Sequence, residues 1–148
     1  MIKVGIIGAT GYGGVELVRL LTNHPGAKVV AVSSVSFEGQ SLSAVYPALY
    51  RVFDDILTDE DSVIDKSDVV FASLPHGLSE AIANKCVKRN VKFIDLGADF
   101  RLNDEENYKV WYGLNYKTPL LHKKSVYCIP ELHRNRVKGA KIIANPGC

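Results

Sequence analysis

The residues best suited to chemistry begin at position 8. Gly8-Ala9-Thr10-Gly11-Tyr12-Gly13-Gly14 follows a short β-branched run, Ile2 to Ile7, and precedes apolar residues at helical spacing, Val15, Leu17, Val18, Leu20 and Leu21. At such a strand-to-helix junction, glycines let a pyrophosphate approach the backbone, and the free amides of the first helical turn point at it. The pattern predicts dinucleotide binding by Gly8, Thr10, Gly11, Tyr12, Gly13 and Gly14, with a plain tight turn as the alternative. An NAD site usually places an acidic residue about 20 residues further on, at the end of the second strand, to hold the ribose diol. Here that place holds Ser33-Ser34-Val35-Ser36. A carboxylate would repel a 2′-phosphate and hydroxyls would not, so Ser34 and Ser36 favour NADP. The competing reading is a serine-rich loop that faces water, and no arginine lies nearby. No pair of cysteines or histidines has metal-ligand spacing, so no metal site is expected.

Elements that would position these residues follow from the apolar pattern. After the first strand and helix, which stops at His24-Pro25-Gly26, Val29 to Val32 reads as a buried parallel strand and completes a β-α-β unit. Ser33 to Pro47 reads as loop, and Ala48 to Leu57 stays ambiguous between strand and short helix. Further along, Asp59 to Lys66 suits a short acidic helix, Val69 to Leu74 a strand, Ser79 to Arg89 a helix and Val91 to Leu96 a strand. Asn103 would cap a helix through Lys109, Val126 to Ile129 is strand-like, Pro130 opens a helix through Val137, and Lys141 to Ala144 is the last strand. This alternation predicts an α/β, Rossmann-like fold: a mostly parallel sheet with helices on both faces, and ligand sites at the carboxyl ends of the strands.

Composition bounds the rest. The 148 residues fit one domain, and 47% hydrophobic with 23% charged residues is ordinary globular material. Eighteen basic against sixteen acidic residues give a formal net charge of +2 and no footprint for nucleic acid or an anionic membrane. No apolar run approaches the roughly 20 residues of a membrane helix, and the start of the chain turns too soon into glycines and Glu16 to read as a targeting segment. Three cysteines, Cys86, Cys128 and Cys148, are far apart and odd in number, which suits a reducing compartment and makes the cytoplasm the expected location.

Six segments occur in a fixed order: Gly8 to Gly14, Leu74-Pro75-His76-Gly77, Ile94-Asp95-Leu96-Gly97-Ala98-Asp99-Phe100-Arg101, Trp111-Tyr112-Gly113, Pro130-Glu131-Leu132 and Asn145-Pro146-Gly147-Cys148. Together they resemble the N-acetyl-gamma-glutamyl-phosphate reductases, and the resemblance covers the whole chain. It implies an NADPH-dependent enzyme of arginine biosynthesis that converts an acyl phosphate to an aldehyde and releases phosphate. Two positions depart from the family: Val35 stands where an arginine is common in the serine loop, and Tyr127-Cys128-Ile129-Pro130-Glu131 stands where Tyr-Gly-Leu-Pro-Glu is common. Cys128 is read as packing. Family members are more than twice as long, with a substrate and dimerisation domain and a catalytic histidine after the cysteine. Residues 1–148 are therefore expected to be the NAD(P)-binding part, ending at the nucleophile and inactive by itself, of a longer homo-oligomer.

The resemblance makes Cys148 the catalytic nucleophile. A thiolate can displace phosphate from an acyl phosphate and hold the acyl group as a thioester that accepts a hydride. Pro75 and His76 follow a strand end and could line the cofactor site, although His76 could equally be a turn residue. Asp95, Asp99 and Arg101 could orient the substrate or its phosphate, but a structural Asp99–Arg101 ion pair is favoured slightly. Asn145 is better placed to support the cysteine. His24, His122 and His133 have polar neighbours in sequence and are expected to face solvent. Two other readings stay open: a cofactor-binding module without catalysis, and the aminoadipate-type reductase of lysine biosynthesis.

Overall fold

The computed structural model describes residues 1–147, and Cys148 lies outside the described residues. Two compact units divide the chain, Met1–Ser73 and a second that begins at Leu74.

In the first unit the order is β1 (Ile2–Ile7), α1 (Tyr12–Thr22), β2 (Ala27–Ser33), α2 (Leu42–Val45), a 3-10 turn (Pro47–Leu49), β3 (Leu57–Thr58), α3 (Glu60–Lys66) and β4 (Val69–Ala72). The strands lie in the order β3-β2-β1-β4, every pair parallel. Val4 to Ile7 are all buried, as a strand enclosed on both faces requires. Two helices enclose it. Val4 and Ile6 share a core with Val18 of α1. On the opposite face, a Cβ at Gly5 would run into Ser67 Oγ and come within 2.5 Å of Val63 Cγ1, so glycine lets α3 lie close against β1. Pairing of β1 with β2 skips Val30, with Val4 opposite Val29 and Gly5 opposite Ala31, and this bulge puts Val29 and Val32 in one core. Asp59 caps α3 by accepting from the Ser62 amide at 2.8 Å, with Glu60 and Asp61 in the first turn and Lys66 in the last, matching the helix dipole. The stretch that reads as loop and ambiguous segment contains α2, capped by Ser41, the 3-10 turn and the two-residue β3.

The second unit has α4 (Ser79–Lys88), β5 (Lys92–Asp95), α5 (Glu105–Tyr112), α6 (Pro119–His122), β6 (Ser125–Tyr127), α7 (Pro130–Val137) and β7 (Ile142–Ala144). Its strands run parallel in the order β5-β7-β6. The Glu105 helix starts one residue later than expected: Asp104, not Asn103, is its cap, accepting from the Asn107 amide at 2.7 Å. It also runs past Lys109 to Tyr112, where Gly113 takes the left-handed conformation (φ 69°) that ends a helix without a Cβ penalty. Buried Phe93, Phe100 and Tyr108 form the aromatic centre. His122 belongs to that centre. It is 3% exposed, stacked on Tyr116 at 3.4 Å between ring centroids, and 4.7 Å from Phe100, which corrects the expectation of a solvent-facing histidine. No helix among the described residues is long and apolar enough to cross a membrane.

Candidate functional site

In the first unit the glycine turn is built onto the end of β2. Gly8, in the left-handed region at φ 80°, and Ala9 both donate their amides to the Ser33 carbonyl, at 3.1 and 2.9 Å. The Thr10 and Ser34 hydroxyls meet at 2.7 Å, and the Tyr46 hydroxyl donates to the Thr10 carbonyl at 2.7 Å. Three of the predicted residues, Thr10, Ser34 and Gly8, are thus tied together through β2 and its end. Tyr46 was not legible as part of this arrangement, because it lies 36 residues away in an irregular segment.

The glycines divide by what surrounds them. A Cβ on Gly14 would overlap the Gly8 carbonyl oxygen and sit 2.7 Å from Ala9 Cα, so this glycine is demanded by the packing of α1 on the turn. A Cβ on Gly11 would meet only Gly8 O, at an ordinary 3.5 Å, so the protein itself does not require glycine there. Gly11 is the cap of α1 yet offers no side-chain acceptor, and the amides of the first helical turn have no partner within the helix. Gly11, Tyr12 and Gly13 are exposed. An open rim of amides with room for close approach fits a pyrophosphate.

Beside the turn is a cavity of about 240 Å³ whose lining includes Ser34, Val35, Glu38 and Asp59. Ser36 is exposed and is not among its lining residues. Directly at the end of β2 the sequence has serines where an NAD site usually has an acid. The fold brings Glu38 into the same cavity from the following loop, and Asp59 from the cap of α3.

In the second unit, three buried carboxylates fix the loops. Asp99, fully buried, accepts from the Gly77 amide at 2.6 Å, the Ser79 amide at 2.9 Å and the Tyr108 hydroxyl at 2.9 Å. Burial, then the bond to Asp99, raises the Tyr108 pKa, so Tyr108 stays a donor. Pro75 and His76 are exposed on the loop that Asp99 holds, with the His76 ring 5.8 Å from Tyr112. Asp99 therefore orders this loop from within and presents nothing to the surface. It does not pair with Arg101. The Arg101 guanidinium donates from Nε to the Asn145 carbonyl at 2.9 Å and from Nη2 to the Leu96 carbonyl at 2.8 Å. The favoured ion pair is corrected for a simple reason: backbone donors and acceptors nearby satisfy both side chains first.

Asp95 ends β5, also without solvent contact. Its Oδ1 accepts from Ser79 Oγ at 2.6 Å and the Gly97 amide at 2.9 Å, while Oδ2 has no partner. Burial pushes its pKa up to about 6, against the pull of the Ser79 bond. The Asp95 carbonyl receives the Asn145 amide at 2.9 Å, tying the end of β5 to the segment after β7. Asn145 Nδ2 turns to the Pro146 carbonyl at 3.0 Å, and a Cβ at Gly147 would lie 2.5 Å from Arg101 Nη1. Arg101 and Asn145 thus hold the residues immediately before Cys148; Cys148 itself lies outside the described residues. Cys86 and Cys128 are buried, and burial pushes the Cys86 thiol up to about 12.

Glu80, which no sequence motif singles out, accepts from the Lys117 amide at 2.8 Å, the Thr118 amide at 2.5 Å and the Thr118 hydroxyl at 2.6 Å, with His122 Nε2 at 3.4 Å. Burial raises its pKa, but these donors together outweigh it and hold the carboxyl below its ordinary value. Burial likewise lowers the His122 pKa.

The chain is 56% identical over all its 148 residues to the N-acetyl-gamma-glutamyl-phosphate reductase of Clostridium botulinum (strain Eklund 17B / Type B), covering 43% of that protein. It is 52% identical to the reductase of that name from Brachyspira hyodysenteriae, covering 44%. It therefore spans less than half the length of these curated relatives. Among solved structures, the aspartate semialdehyde dehydrogenase with NADP from Candida albicans superposes with a TM-score of 0.65 at 19% identity, over 97% of this chain and 42% of that one. That of aspartate semialdehyde dehydrogenase II complexed with ASA from Vibrio cholerae gives 0.65 at 17%, over 99% and 42%. These likenesses show a shared Rossmann-like fold. The family pattern described as "Semialdehyde dehydrogenase, NAD binding domain" matches residues 3–140, and the chain belongs to that family.

Proposed function

We propose that this chain is the cofactor-binding part of an NADP(H)-dependent reductase that converts N-acetyl-gamma-glutamyl phosphate to N-acetylglutamate semialdehyde and phosphate, in arginine biosynthesis. The observation that carries the reading is the identity of 56% to such a reductase across the whole chain, glycine turn to Cys148. The glycine turn fits the pyrophosphate of the cofactor, since a side chain at Gly11 would meet only the Gly8 carbonyl and no side chain caps the amides of the first helical turn. Thr10, Ser34 and Ser36 supply hydroxyls on the ribose side, and Pro75 and His76 are candidates for the nicotinamide side.

Cys148 is the nucleophile. Its thiolate attacks the acyl carbon, the bond from that carbon to the phosphate oxygen breaks, and phosphate leaves with the electron pair, giving a thioester. When bound, the nicotinamide supplies the hydride that reduces the acyl carbon. Arg101 and Asn145 act as positioning residues: the Arg101 bond to the Asn145 carbonyl and the Asn145 bond to the Pro146 carbonyl hold the backbone at residues 145 and 146. Asp99 positions the His76 loop. The resemblance extends the reading to a cytoplasmic homo-oligomer acting on a small acyl phosphate.

The test is Cys148→Ser in the longer protein. Phosphate-dependent oxidation of the semialdehyde should fall by more than a thousandfold while NADPH affinity stays within about threefold, because sulfur acts on the acyl group and not on the dinucleotide. Substantial retained activity would reject Cys148 as nucleophile.

A further inference from the structure

Resting on the reading of the His76 loop as the nicotinamide side of the cofactor site, we infer that Lys117 is a positioning residue of that site: its ammonium closes the second of two clamps on Gly77 and so sets where His76 stands. Gly77 follows His76 directly and takes the left-handed conformation, with φ 88°. Glycine has the widest choice of backbone angles, so this is where the loop turns most easily. A residue has only two soft dihedrals, and they are set once the rigid peptide planes on either side of it are held. Both planes are held here. The Gly77 amide, on the plane shared with His76, donates to Asp99 Oδ1 at 2.6 Å. The Gly77 carbonyl, on the plane shared with Leu78, accepts from Lys117 Nζ at 2.8 Å. With either clamp alone the loop would still swing about Gly77; with both, φ and ψ are fixed.

Lys117 reaches the loop from 40 positions away, and its own backbone is anchored. Glu80, buried in the first turn of α4, accepts the Lys117 amide at 2.8 Å. The clamp therefore runs from α4 through Lys117 back to the loop that leads into the same helix. The segment before Lys117 also lies against this loop: the Tyr112 ring is 5.8 Å from that of His76, and a Cβ at Gly77 would come within 2.9 Å of Leu114 Cδ1. Lys117 is exposed, and among the described residues no carboxylate partners its ammonium. Methionine in its place removes the bond to Gly77 and leaves no charge unpaired, while arginine supplies a new donor at the same position.

The experiment titrates the longer protein by calorimetry with NADPH and with 2′-phospho-ADP-ribose, which has the same nucleotide but no nicotinamide. Lys117→Met should weaken NADPH about fivefold and leave 2′-phospho-ADP-ribose within about twofold, and Lys117→Arg should return NADPH to within about twofold of the parent. His76→Ala should weaken NADPH selectively and by at least as much, and adding Lys117→Met to it should cost almost nothing more, because the lysine acts through the histidine. Thermal melts of each variant check the fold. Equal losses for both ligands, a loss that arginine does not rescue, or a full fivefold loss that persists in the His76→Ala background would each overturn the inference. So would a Lys117→Met variant that binds NADPH like the parent while His76→Ala weakens it, and that outcome leaves the nicotinamide reading of the loop intact. Unchanged NADPH affinity in His76→Ala, or no NADPH binding by the parent, would remove that reading together with the inference.

Discussion

Asp95 offers a direct test of the electrostatics of the second unit, through Asp95→Asn and the pH dependence of stability. Its carboxyl is fully buried, with two donors on Oδ1 and none on Oδ2, and its pKa is raised from 3.8 to about 6, chiefly by burial. A raised carboxyl pKa means that the folded chain keeps this proton over a range where the unfolded chain has lost it. Below about pH 4 both states are protonated and ionisation costs nothing. Between pH 4 and 6 only the unfolded state ionises, so stability falls as pH rises, by about 1.4 kcal/mol per unit and about 3 kcal/mol in all. Above the folded pKa the full cost persists. Asparagine has no proton to lose, so the stability of the variant minus that of the parent should climb by about 3 kcal/mol from pH 4 to 7. Superimposed on this is a constant loss of about 1–2 kcal/mol, because the amide nitrogen replacing Oδ2 is a buried donor without an acceptor. Every other titrating group is shared by both proteins and cancels. Urea unfolding of both at half-unit steps between pH 4 and 8 measures the difference. A difference constant across that range, or one that shrinks as pH rises, would refute the assignment of a proton to Asp95 in the folded state.

Two further substitutions separate packing from binding in the glycine turn. Gly14→Ala should destabilise by roughly 2 kcal/mol or more, read as a lower urea midpoint, because its methyl overlaps the Gly8 carbonyl and Ala9 has no room to retreat. Gly11→Val should cost only about 1 kcal/mol as a poorer helix cap yet abolish binding of either nicotinamide nucleotide; unchanged affinity would make the turn purely structural. For Glu80, whose pKa is held below 4.5, the stabilisation is present above pH 4.5 and lost as pH falls through the folded value. Glu80→Ala should cost about 3–5 kcal/mol at pH 7, since it strands the Lys117 and Thr118 amides and the Thr118 hydroxyl. Urea unfolding at pH 7 and again at pH 3.5 should show that penalty shrink on acidification, and a penalty independent of pH would count against an ionised Glu80.

Legibility in the sequence tracked how local the determining forces are. The β1-α1-β2 unit was readable because a β-branched run, a glycine turn and a 3.6-residue period follow one another within 33 residues. Helix α6 was not, because four residues cannot hold a helix by their own propensity, and what seats this one is Glu80, 37 and 38 positions earlier. His122 looked solvent-facing beside Lys123 and Lys124, but its burial comes from Phe100 and from Tyr116 folding over its ring. Asn103 and Asp104 are adjacent and both are good caps, so only the geometry of the Asn107 amide chooses between them. Glu38 escaped notice because its approach to the cavity depends on an irregular loop for which spacing carries no rule.

Burying Glu80, Asp95 and Asp99 within one unit needs a reason, since each carboxylate loses its hydration on folding. Glu80 and Asp99 recover it with at least three donors each, most of them backbone amides, on the loops at Gly77, Lys117 and Thr118 and at Ser79, the first residue of α4. Asp99 satisfies the Gly77 amide next to His76, and Glu80 satisfies the turn leading into α6. Asp95 is under-satisfied by comparison. It instead bonds Ser79 at the start of α4 and, through its carbonyl, receives Asn145. Two carboxylates sit on the rigid start of α4 and end of β5, and Asp99 closes the loop between them and α5 by bonding Tyr108. The candidate residues His76, Arg101 and Asn145 are exposed or half-buried, but each rests on bonds or a loop fixed from the interior. A site on loops gains the precision of a site on strands only when such anchors hold it. That requirement explains why the ordered acidic motif from Asp95 to Arg101 lies beneath the candidate site, with its carboxylates inside the fold.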